Sequence, residues 1–283
     1  MTDWEKGFLM LTCPLGDPYA KPLTTAQFRT LAKRVQARTA PKEDRNMCPQ
    51  DLFDLGYDEE MADRILRLLG RKPLLEQYLT EAARYGCYAI ARNSRQYPQR
   101  LRDILGEDAP ASLWLKGDAA LLDTPMVSLV GSRDLLPENR QFARRIGELA
   151  AQQGFTLVSG NARGADTEAQ NACLYYGGRV ISVVADKLQG QPIRENVLYI
   201  SEHGFDCDFT AARALSRNHV IHAFGSKVYV AQCNYGKGGT WSGTYTNLKK
   251  KRTPVVCFDD HTEATQALQS LGATTADNSI TNL

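Results

Sequence analysis

Glycine, serine and arginine residues follow two apolar runs of the sequence, at the point where each run ends. The first turn is Gly131-Ser132-Arg133, directly after Val130, and the second runs from Ser159 to Asp166, directly after Val158. Glycine lets a backbone turn tightly and approach a ligand, and a guanidinium group matches the oxygens of a phosphate. Two such turns on neighbouring strands would converge on one anion, so the sequence predicts a phosphate-binding site.

The second turn repeats the composition of the first and adds a carboxylate. Asp166 can cap the helix that follows or orient a neighbouring donor, and the sequence leaves both roles open. A lone turn of this kind is more often an ordinary surface turn, so the prediction depends on the pair. The residues of the second turn that we assign to the site are Ser159, Gly160, Arg163, Gly164 and Asp166.

Two later stretches carry residues of the same kinds. Arg217-Asn218 lies in a helical pattern, where the spacing fits a plain helix face as well as a site. Gly238-Gly239-Thr240 follows another apolar run and favours a second anion cradle, with Thr240 capping the next helix; a mobile loop is the alternative. Aromatic residues that could stack on bases, or equally fill the core, follow in the same region: Tyr235, Trp241 and Tyr245.

Patterns typical of catalysis, metal binding and dinucleotide binding are missing. The four histidines show no metal-ligand spacing, and the seven cysteines are scattered singly. The first turn is not GxGxxG, and the sequence contains no GxSxG hydrolase elbow and no GxxxxGK[ST] loop. We therefore expect no metal, no cofactor and no catalytic residues.

Composition limits the class of protein. The 283 residues include 34 Lys and Arg against 32 Asp and Glu, a net charge of +2, which excludes a histone-like polycation but allows a local basic groove. The 43% hydrophobic content excludes wholesale disorder. No apolar run approaches the roughly 18 residues that span a bilayer. The first residues lack the basic start of a signal peptide, so we expect a cytoplasmic protein without a membrane segment.

The sequence pattern changes near residue 124, from helical before it to alternating strands and helices after it. Residues 1–95 predict a small all-helical domain, a degenerate helix-hairpin-helix or SAM-like unit for packing or partner docking, and residues 96–124 a connector. From 125 to 260, short Val/Leu/Ile runs alternate with helical stretches, which predicts an α/β, Rossmann-like doubly wound parallel sheet; residues 261–283 are predicted as a tail. Ligands of such sheets bind beyond the carboxyl ends of the strands, where the predicted turns lie.

The order and spacing of these turns resemble the DprA/Smf family of DNA-processing proteins. That family has a V-G-S-R turn, an S-G-x-A-[RK]-G-x-D turn, an R-N pair, a late glycine/serine/threonine turn, and the connector patterns Y-P-x-x-L and L-Y-x-x-G. The resemblance covers about residues 95–258 and implies an extended Rossmann fold. The similar stretches are Val130–Arg133, Ser159–Asp166, Arg217-Asn218, Gly238–Thr240, Tyr97–Leu101 and Leu113–Gly117.

The resemblance implies a DNA-binding function. The family binds single-stranded DNA in a basic pocket, forms homodimers and delivers the strand to the recombinase RecA during DNA uptake. It implies here that Arg133 and Arg163 bind phosphates, that the glycines and serines of both turns let the strand come close, and that Gly239 and Thr240 contribute backbone N–H groups. The late turn departs from the family's S-G-[SA]-x-x-T-A, and no winged-helix pattern follows Phe258. These departures weaken the expectation of RecA loading more than that of phosphate binding.

Two other functions stay open. The first is a nucleotide-binding sensor or a phosphoribohydrolase-like enzyme of the related Rossmann superfamily, whose P-G-G-x-G-T-x-x-E resembles Gly238–Thr244. The acid that would assist glycosidic cleavage is missing, since no Asp or Glu occurs from Cys233 to Val256. The second is a scaffold whose helical domain docks a partner and whose pocket is vestigial.

Overall fold

Helices make up most of the amino-terminal third of the molecule. The structure is a computed structural model that describes residues 1–38 and 46–283. Within those residues the elements before the first strand are α1 (Asp3–Thr12), α2 (Thr25–Gln36), α3 (Pro49–Asp54), α4 (Glu59–Leu69) and α5 (Lys72–Arg84). The predicted helical domain also includes residues 39–45, which lie outside the described residues.

Strands and helices alternate through the rest of the chain, with two short 3-10 turns, Gly106–Asp108 and Ala119–Asp123. The elements are β1 (Cys87–Ala91), α6 (Gln99–Leu105), β2 (Ser112–Gly117), β3 (Met126–Val130), α7 (Pro137–Gln152), β4 (Thr156–Ser159), α8 (Ala165–Tyr175), β5 (Arg179–Val183), β6 (Val197–Ser201), α9 (Ala211–Phe224), β7 (Val228–Val230), α10 (Gly238–Lys249), β8 (Val255–Phe258), α11 (Glu263–Ser270) and β9 (Thr274–Ala276).

One sheet joins the strands in the order β1-β2-β6-β5-β4-β3-β7-β8-β9. β1 and β2 run antiparallel to their neighbours, and all the other strand pairs are parallel. From β3 the chain moves outward to β6 and then crosses back to β7 on the other side of β3. The strand order therefore switches between β3 and β7, and a ligand of such a sheet is expected at their carboxyl ends. The predicted Rossmann-like doubly wound fold is confirmed.

Helices cover both faces of the sheet because the strands are apolar on both sides. Every residue of β3, β4 and β6 is buried. On one face, α7 and α8 contribute Phe142 and Ala169 to the core; on the other, α9 and α11 contribute Phe224 and Leu268. This two-sided burial explains why the strands appear in the sequence as continuous apolar runs.

The helices α2, α3 and α4 have a core of their own, which includes Leu31, Leu52 and Ile65. In contrast, α1 and α5 pack on the sheet through Phe8 and Leu75. The amino-terminal region is thus partly a separate cluster and partly an extension of the sheet's core.

The sheet extends past both ends of the predicted 125–260 domain. β1 lies in the segment predicted as helical, β2 in the predicted connector, and α11 and β9 in the predicted tail. The division of the chain into domains stays a prediction. Among the described residues, no helix combines the length and apolarity needed to cross a membrane.

Candidate phosphate-binding site

The predicted turns meet at the carboxyl ends of β3 and β7, around a recess of about 540 Å³ that we call the rim cavity. The structure brings nine of the predicted site residues to its wall. They are Gly131, Ser132, Arg133, Asp166, Arg217, Asn218, Gly238, Gly239 and Thr240. Arg133 and Arg217 also line an adjoining recess of about 360 Å³, the side cavity, and Arg163 lines only that one.

The turn after β3 is held in place by its neighbours. The backbone N–H of Ser132 donates to the carbonyl of Gln232 over 2.9 Å, and the Ser132 carbonyl accepts from Ala165 N over 3.1 Å. The Ser132 hydroxyl also donates to the Gln232 carbonyl. A Cβ added at Gly131 would stand 2.4 Å from the Cβ of Ala165, so this glycine serves close packing of the turn against α8.

Arg133 extends from this turn into solvent at the edge of both cavities. No protein group in the described part of the chain hydrogen-bonds or pairs with its guanidinium group. An unpaired guanidinium beside a recess can form a bidentate contact with a phosphate without first breaking an internal bond. Arg133 is therefore the cation at this rim best placed for an external anion.

Arg163 lies in the turn after β4, close to the first turn. A Cβ at Gly164, which has φ +90°, would stand 2.4 Å from the carbonyl oxygens of Ser132 and Arg133, so only glycine allows the two turns to touch. The Arg163 guanidinium pairs with Asp134 over 2.8 Å, but the two side chains are 76% and 87% exposed. Such a surface pair contributes about 0–1 kcal/mol and can exchange for a phosphate.

Arg217 forms the buried floor of the site. It is only 7% exposed, its guanidinium donates to the carbonyl of Val183, and it lies 3.6 Å from the carboxylate of Asp166. A Cβ at Gly160 would stand 2.1 Å from Arg217 Nη1, so that glycine makes room for the guanidinium. Arg217 therefore lies on the buried side of α9 and not on its solvent-exposed face.

Asp166 is not the cap of α8. The N-cap is Gly164, and the Asp166 carboxylate instead accepts from the backbone N–H of Ala162 over 3.2 Å and faces Arg217. Burial raises the pKa of Asp166, and the charges of Arg217 and Arg133 oppose that rise. The cap interpretation is wrong, and the role of orienting a neighbouring donor fits the observed contacts.

Thr240 does not cap α10 either. Its hydroxyl donates to the carbonyl of Gly131 over 3.0 Å, and Lys237 is the N-cap. Thr240 therefore ties the turn after β7 to the turn after β3 across the sheet's switch point. The first N–H groups of α10, at Gly238 and Gly239, border the rim cavity, where such groups favour an anion.

The predicted site residues Ser159, Gly160 and Gly164 line neither cavity. The Ser159 hydroxyl is buried, accepts from Gln170 over 2.7 Å and donates to the carbonyl of Gly160, so it faces the core. Asn218 borders the rim cavity beneath Gly239, whose Cβ would stand 2.9 Å from its Nδ2. Ser159 and Gly160 therefore support the lining residues without bordering either cavity.

Lys237 and Phe209 are among the lining residues that sequence reasoning missed. Lys237 borders the rim cavity, and Phe209 borders both cavities. A lysine directly before a glycine-rich helix start is a signal that could have been used for Lys237. Phe209 stands in the irregular segment between β6 and α9, where no periodicity marks its position.

A buried carboxyl group lies close to the floor of the site. The Glu202 side chain is 6% exposed and lies 3.7 Å from both His203 and His219, with the charges of Arg213 and Arg217 nearby. Burial raises the pKa of Glu202 to about 7 and lowers that of His203 to about 4; burial also lowers the pKa of His219. In the described part of the chain, no group of three or more His, Cys, Asp or Glu could hold a metal ion.

Glu202→Gln should change how stability depends on pH. The pKa of Glu202 rises from 4.5 to about 7 on folding, so its stabilising contribution is full below pH 4.5 and is lost as pH rises through about 7. The lowered pKa values of His203 and His219 make stability rise with pH instead, and they do so in wild type and in the variant alike. We expect wild type to lose about 2–3 kcal/mol of unfolding free energy relative to the variant between pH 5 and pH 8 in urea titrations. A difference that stays constant with pH would contradict this burial of the Glu202 carboxyl.

A model of the family described as DNA recombination-mediator protein A matches residues 88–281 of this chain. DNA processing protein DprA of Bacillus subtilis (strain 168) is 29% identical over 191 residues, which cover 64% of this chain and 63% of that protein. DNA processing protein DprA of Streptococcus pneumoniae (strain ATCC BAA-255 / R6) is 30% identical over 152 residues, 50% of this chain and 53% of that protein. The chain thus spans less than two thirds of these curated relatives.

Solved structures show the same fold. The X-ray structure of DprA from Streptococcus pneumoniae superposes with a TM-score of 0.73 at 20% identity and covers 98% of this chain and 95% of that chain. DprA from Helicobacter pylori, whose structural report concerns its single-stranded DNA binding mode, gives a TM-score of 0.56 at 25% identity over 67% of this chain and 90% of that chain.

Proposed function

This chain belongs to the DNA recombination-mediator protein A family, and on that premise we propose that its rim cavity binds the phosphate backbone of single-stranded DNA without catalysis. The observation that carries the proposal is Arg133, an exposed guanidinium without an internal partner at the edge of a recess whose far side is the start of α10. Both groups favour an anion. The relative from Helicobacter pylori, described as binding single-stranded DNA, supports the choice of ligand.

Three aromatic rings on α10 and just before it, a helix whose first residues border the rim cavity, favour a single strand over a duplex. The Tyr235 ring lies 4.8 Å from that of Trp241, which lies 6.1 Å from that of Tyr245 along α10. Tyr235 and Tyr245 are exposed, while Trp241 also packs against the core. Aromatic rings next to cationic groups can stack on unpaired bases, whose faces a duplex hides.

Two further proposals rest on the family alone. We infer that the chain forms a homodimer and that it hands the bound strand to the recombinase RecA, as the family resemblance implies. Binding of a free nucleotide is the competing function, because the same cations would hold a nucleoside phosphate.

The test is a binding titration by fluorescence anisotropy with a labelled single strand, the matching duplex and a mononucleotide competitor. We expect the single strand to bind more tightly than the duplex and the mononucleotide to compete poorly. Two neutralised phosphates should make affinity fall about sevenfold between about 50 and about 200 mM salt. Equal competition by the mononucleotide would favour the nucleotide-sensor alternative, and binding that ignores salt would overturn the proposal.

A further inference from the structure

A separate recess of about 480 Å³, which we call the amino-edge cavity, lies at the opposite edge of the sheet from the rim cavity. Its wall includes Ala119 and Leu122, from the 3-10 turn that precedes β3. Arg100, also on the wall, donates to the carbonyl of Gly225, which precedes β7. The five residues of β3 span about 16 Å, so this recess is separate from the one beyond the carboxyl ends of β3 and β7.

Three arginines border the amino-edge cavity without a carboxylate partner. Arg95, Arg100 and Arg102 all line it, and none of them forms an ion pair with any described residue. Arg102 donates to the carbonyl of Arg92 and lies over the Tyr97 ring, so it serves the local fold. Arg95 is exposed and makes no hydrogen bond to the described part of the chain. The donors of Arg95 are therefore free for a ligand.

Arg100 is a partly buried cation without a counter-charge. One of its terminal nitrogens donates to Gly225, and its Nε is shielded from solvent and has no acceptor among the described residues. Burial lowers the pKa of Arg100, and no described carboxylate lies close enough to offset that shift. Desolvating an unpaired charge is unfavourable, and a bound anion would offset that cost. The surroundings of Arg100 thus favour an anionic ligand.

The remaining walls are largely apolar, with Ile90 and Leu122 among them. The Tyr88 ring also lines the recess; it is 38% exposed, and its hydroxyl donates to the Gly117 carbonyl over 3.2 Å. The volume of about 480 Å³ is within the range of roughly 300–1,000 Å³ that small-molecule sites have. The exposed carboxylate of Asp123 borders the recess too and would repel a polyanion such as a DNA backbone. The walls therefore suit a compact molecule with one anionic group and an apolar body.

We propose that the amino-edge cavity binds a small phosphate monoester, with the phosphate between Arg95 and Arg100 and an aromatic or apolar body against Tyr88. A phosphate monoester offers three terminal oxygens to two guanidinium groups, whereas a carboxylate is matched by one guanidinium. The inference does not rest on the proposed function, because the two recesses share no residue.

The test is isothermal titration calorimetry with phenyl phosphate and with inorganic phosphate. The parent protein for the titrations is Arg133→Ala, so that the rim cavity does not compete for phosphate. Phenyl phosphate should bind about tenfold more tightly than inorganic phosphate, because its ring leaves water. Arg95→Ala and Arg100→Ala should each weaken the binding of both ligands about tenfold. Tyr88→Ala should weaken the binding of phenyl phosphate alone.

Arg144→Ala, added to the same parent, is the matched control. The Arg144 side chain is 60% exposed and pairs with Glu168 over 2.7 Å on α7, which packs on the other face of the sheet. This variant should bind both ligands like the parent. Thermal unfolding checks that each variant is folded. Arg100→Ala loses a bond to Gly225, so the exposed Arg95 keeps the test decisive if that variant does not fold.

Three results would overturn the amino-edge site. The first is an unchanged affinity of Arg95→Ala for phenyl phosphate, and the second is an unchanged affinity of Tyr88→Ala. The third is phenyl phosphate that binds wild type but not the Arg133→Ala parent, or that a single-stranded oligonucleotide displaces from that parent. None of these results bears on whether wild type binds single-stranded DNA through Arg133, which the anisotropy titration measures separately.

Discussion

Replacing Arg133 and Arg163 together by alanine should weaken the binding of single-stranded DNA about 100-fold, equally for all base sequences. Hydrogen bonds to charged groups contribute about 1.5–3 kcal/mol each, so the loss of Arg133 alone should account for at least a tenfold effect. Arg163→Ala should reduce the binding affinity less than Arg133→Ala does, because Arg163 must break its 2.8 Å ion pair with Asp134 before it can contact a phosphate. Phosphate contacts carry no sequence information, which is why the loss should not depend on the bases.

The salt dependence of binding gives this prediction a second readout. Each lost phosphate contact should reduce the slope of log affinity against log salt by about 0.7, so the double variant should lose about 1.4. The matched control is Arg84→Ala, since Arg84 is 71% exposed and pairs with Glu81 over 2.8 Å, far from the site. Equal affinities of wild type and the double variant would reject the site.

Arg217→Ala should destabilise the fold by about 3–5 kcal/mol, because it leaves the buried carboxylate of Asp166 without its cation. The loss of unfolding free energy caused by Arg217→Ala should be smaller at low pH. Burial raises the pKa of Asp166, and a raised carboxyl pKa stabilises the folded state below the unfolded value and loses that effect as pH rises. Urea titrations at pH 5 and pH 8 would measure both quantities.

A double-mutant cycle separates the ion pair from simple loss of packing. Asp166→Asn in the Arg217→Ala background removes the stranded charge and should recover much of the lost stability. A destabilisation that Asp166→Asn leaves unchanged would show that the pair does not hold the floor of the site.

Much of the fold could be predicted because the parallel strands are buried on both faces. Continuous apolar runs reveal β3, β4 and β5, and glycine turns mark the carboxyl ends of β3 and β4. β9 could not be predicted this way, since Thr274–Ala276 is short and partly exposed. β6 follows β5 through an irregular segment, without the intervening helix that marks the other parallel strands. The predicted resemblance to the DprA/Smf family is confirmed by the family match.

The sequence predicts which turns form the site, but it does not predict the contacts that their side chains make. A threonine or aspartate near a helix start predicts a cap, yet Thr240 donates across the sheet to Gly131 and Asp166 faces a buried arginine. Because those partners are distant in the sequence, local residue spacing cannot reveal them. The predicted convergence of Arg133 and Arg163 on one recess occurs at the side cavity, while Arg217 reaches the same place from α9.

The central claim is that a backbone phosphate lies between Arg133 and the start of α10. The most direct test is a crystal structure of the chain with a short single-stranded oligonucleotide, in which the phosphorus positions are located. We predict a phosphate oxygen within about 3 Å of the Arg133 guanidinium and of a backbone N–H at Gly238 or Gly239. A strand bound elsewhere, with the rim cavity free of phosphate, would contradict the account.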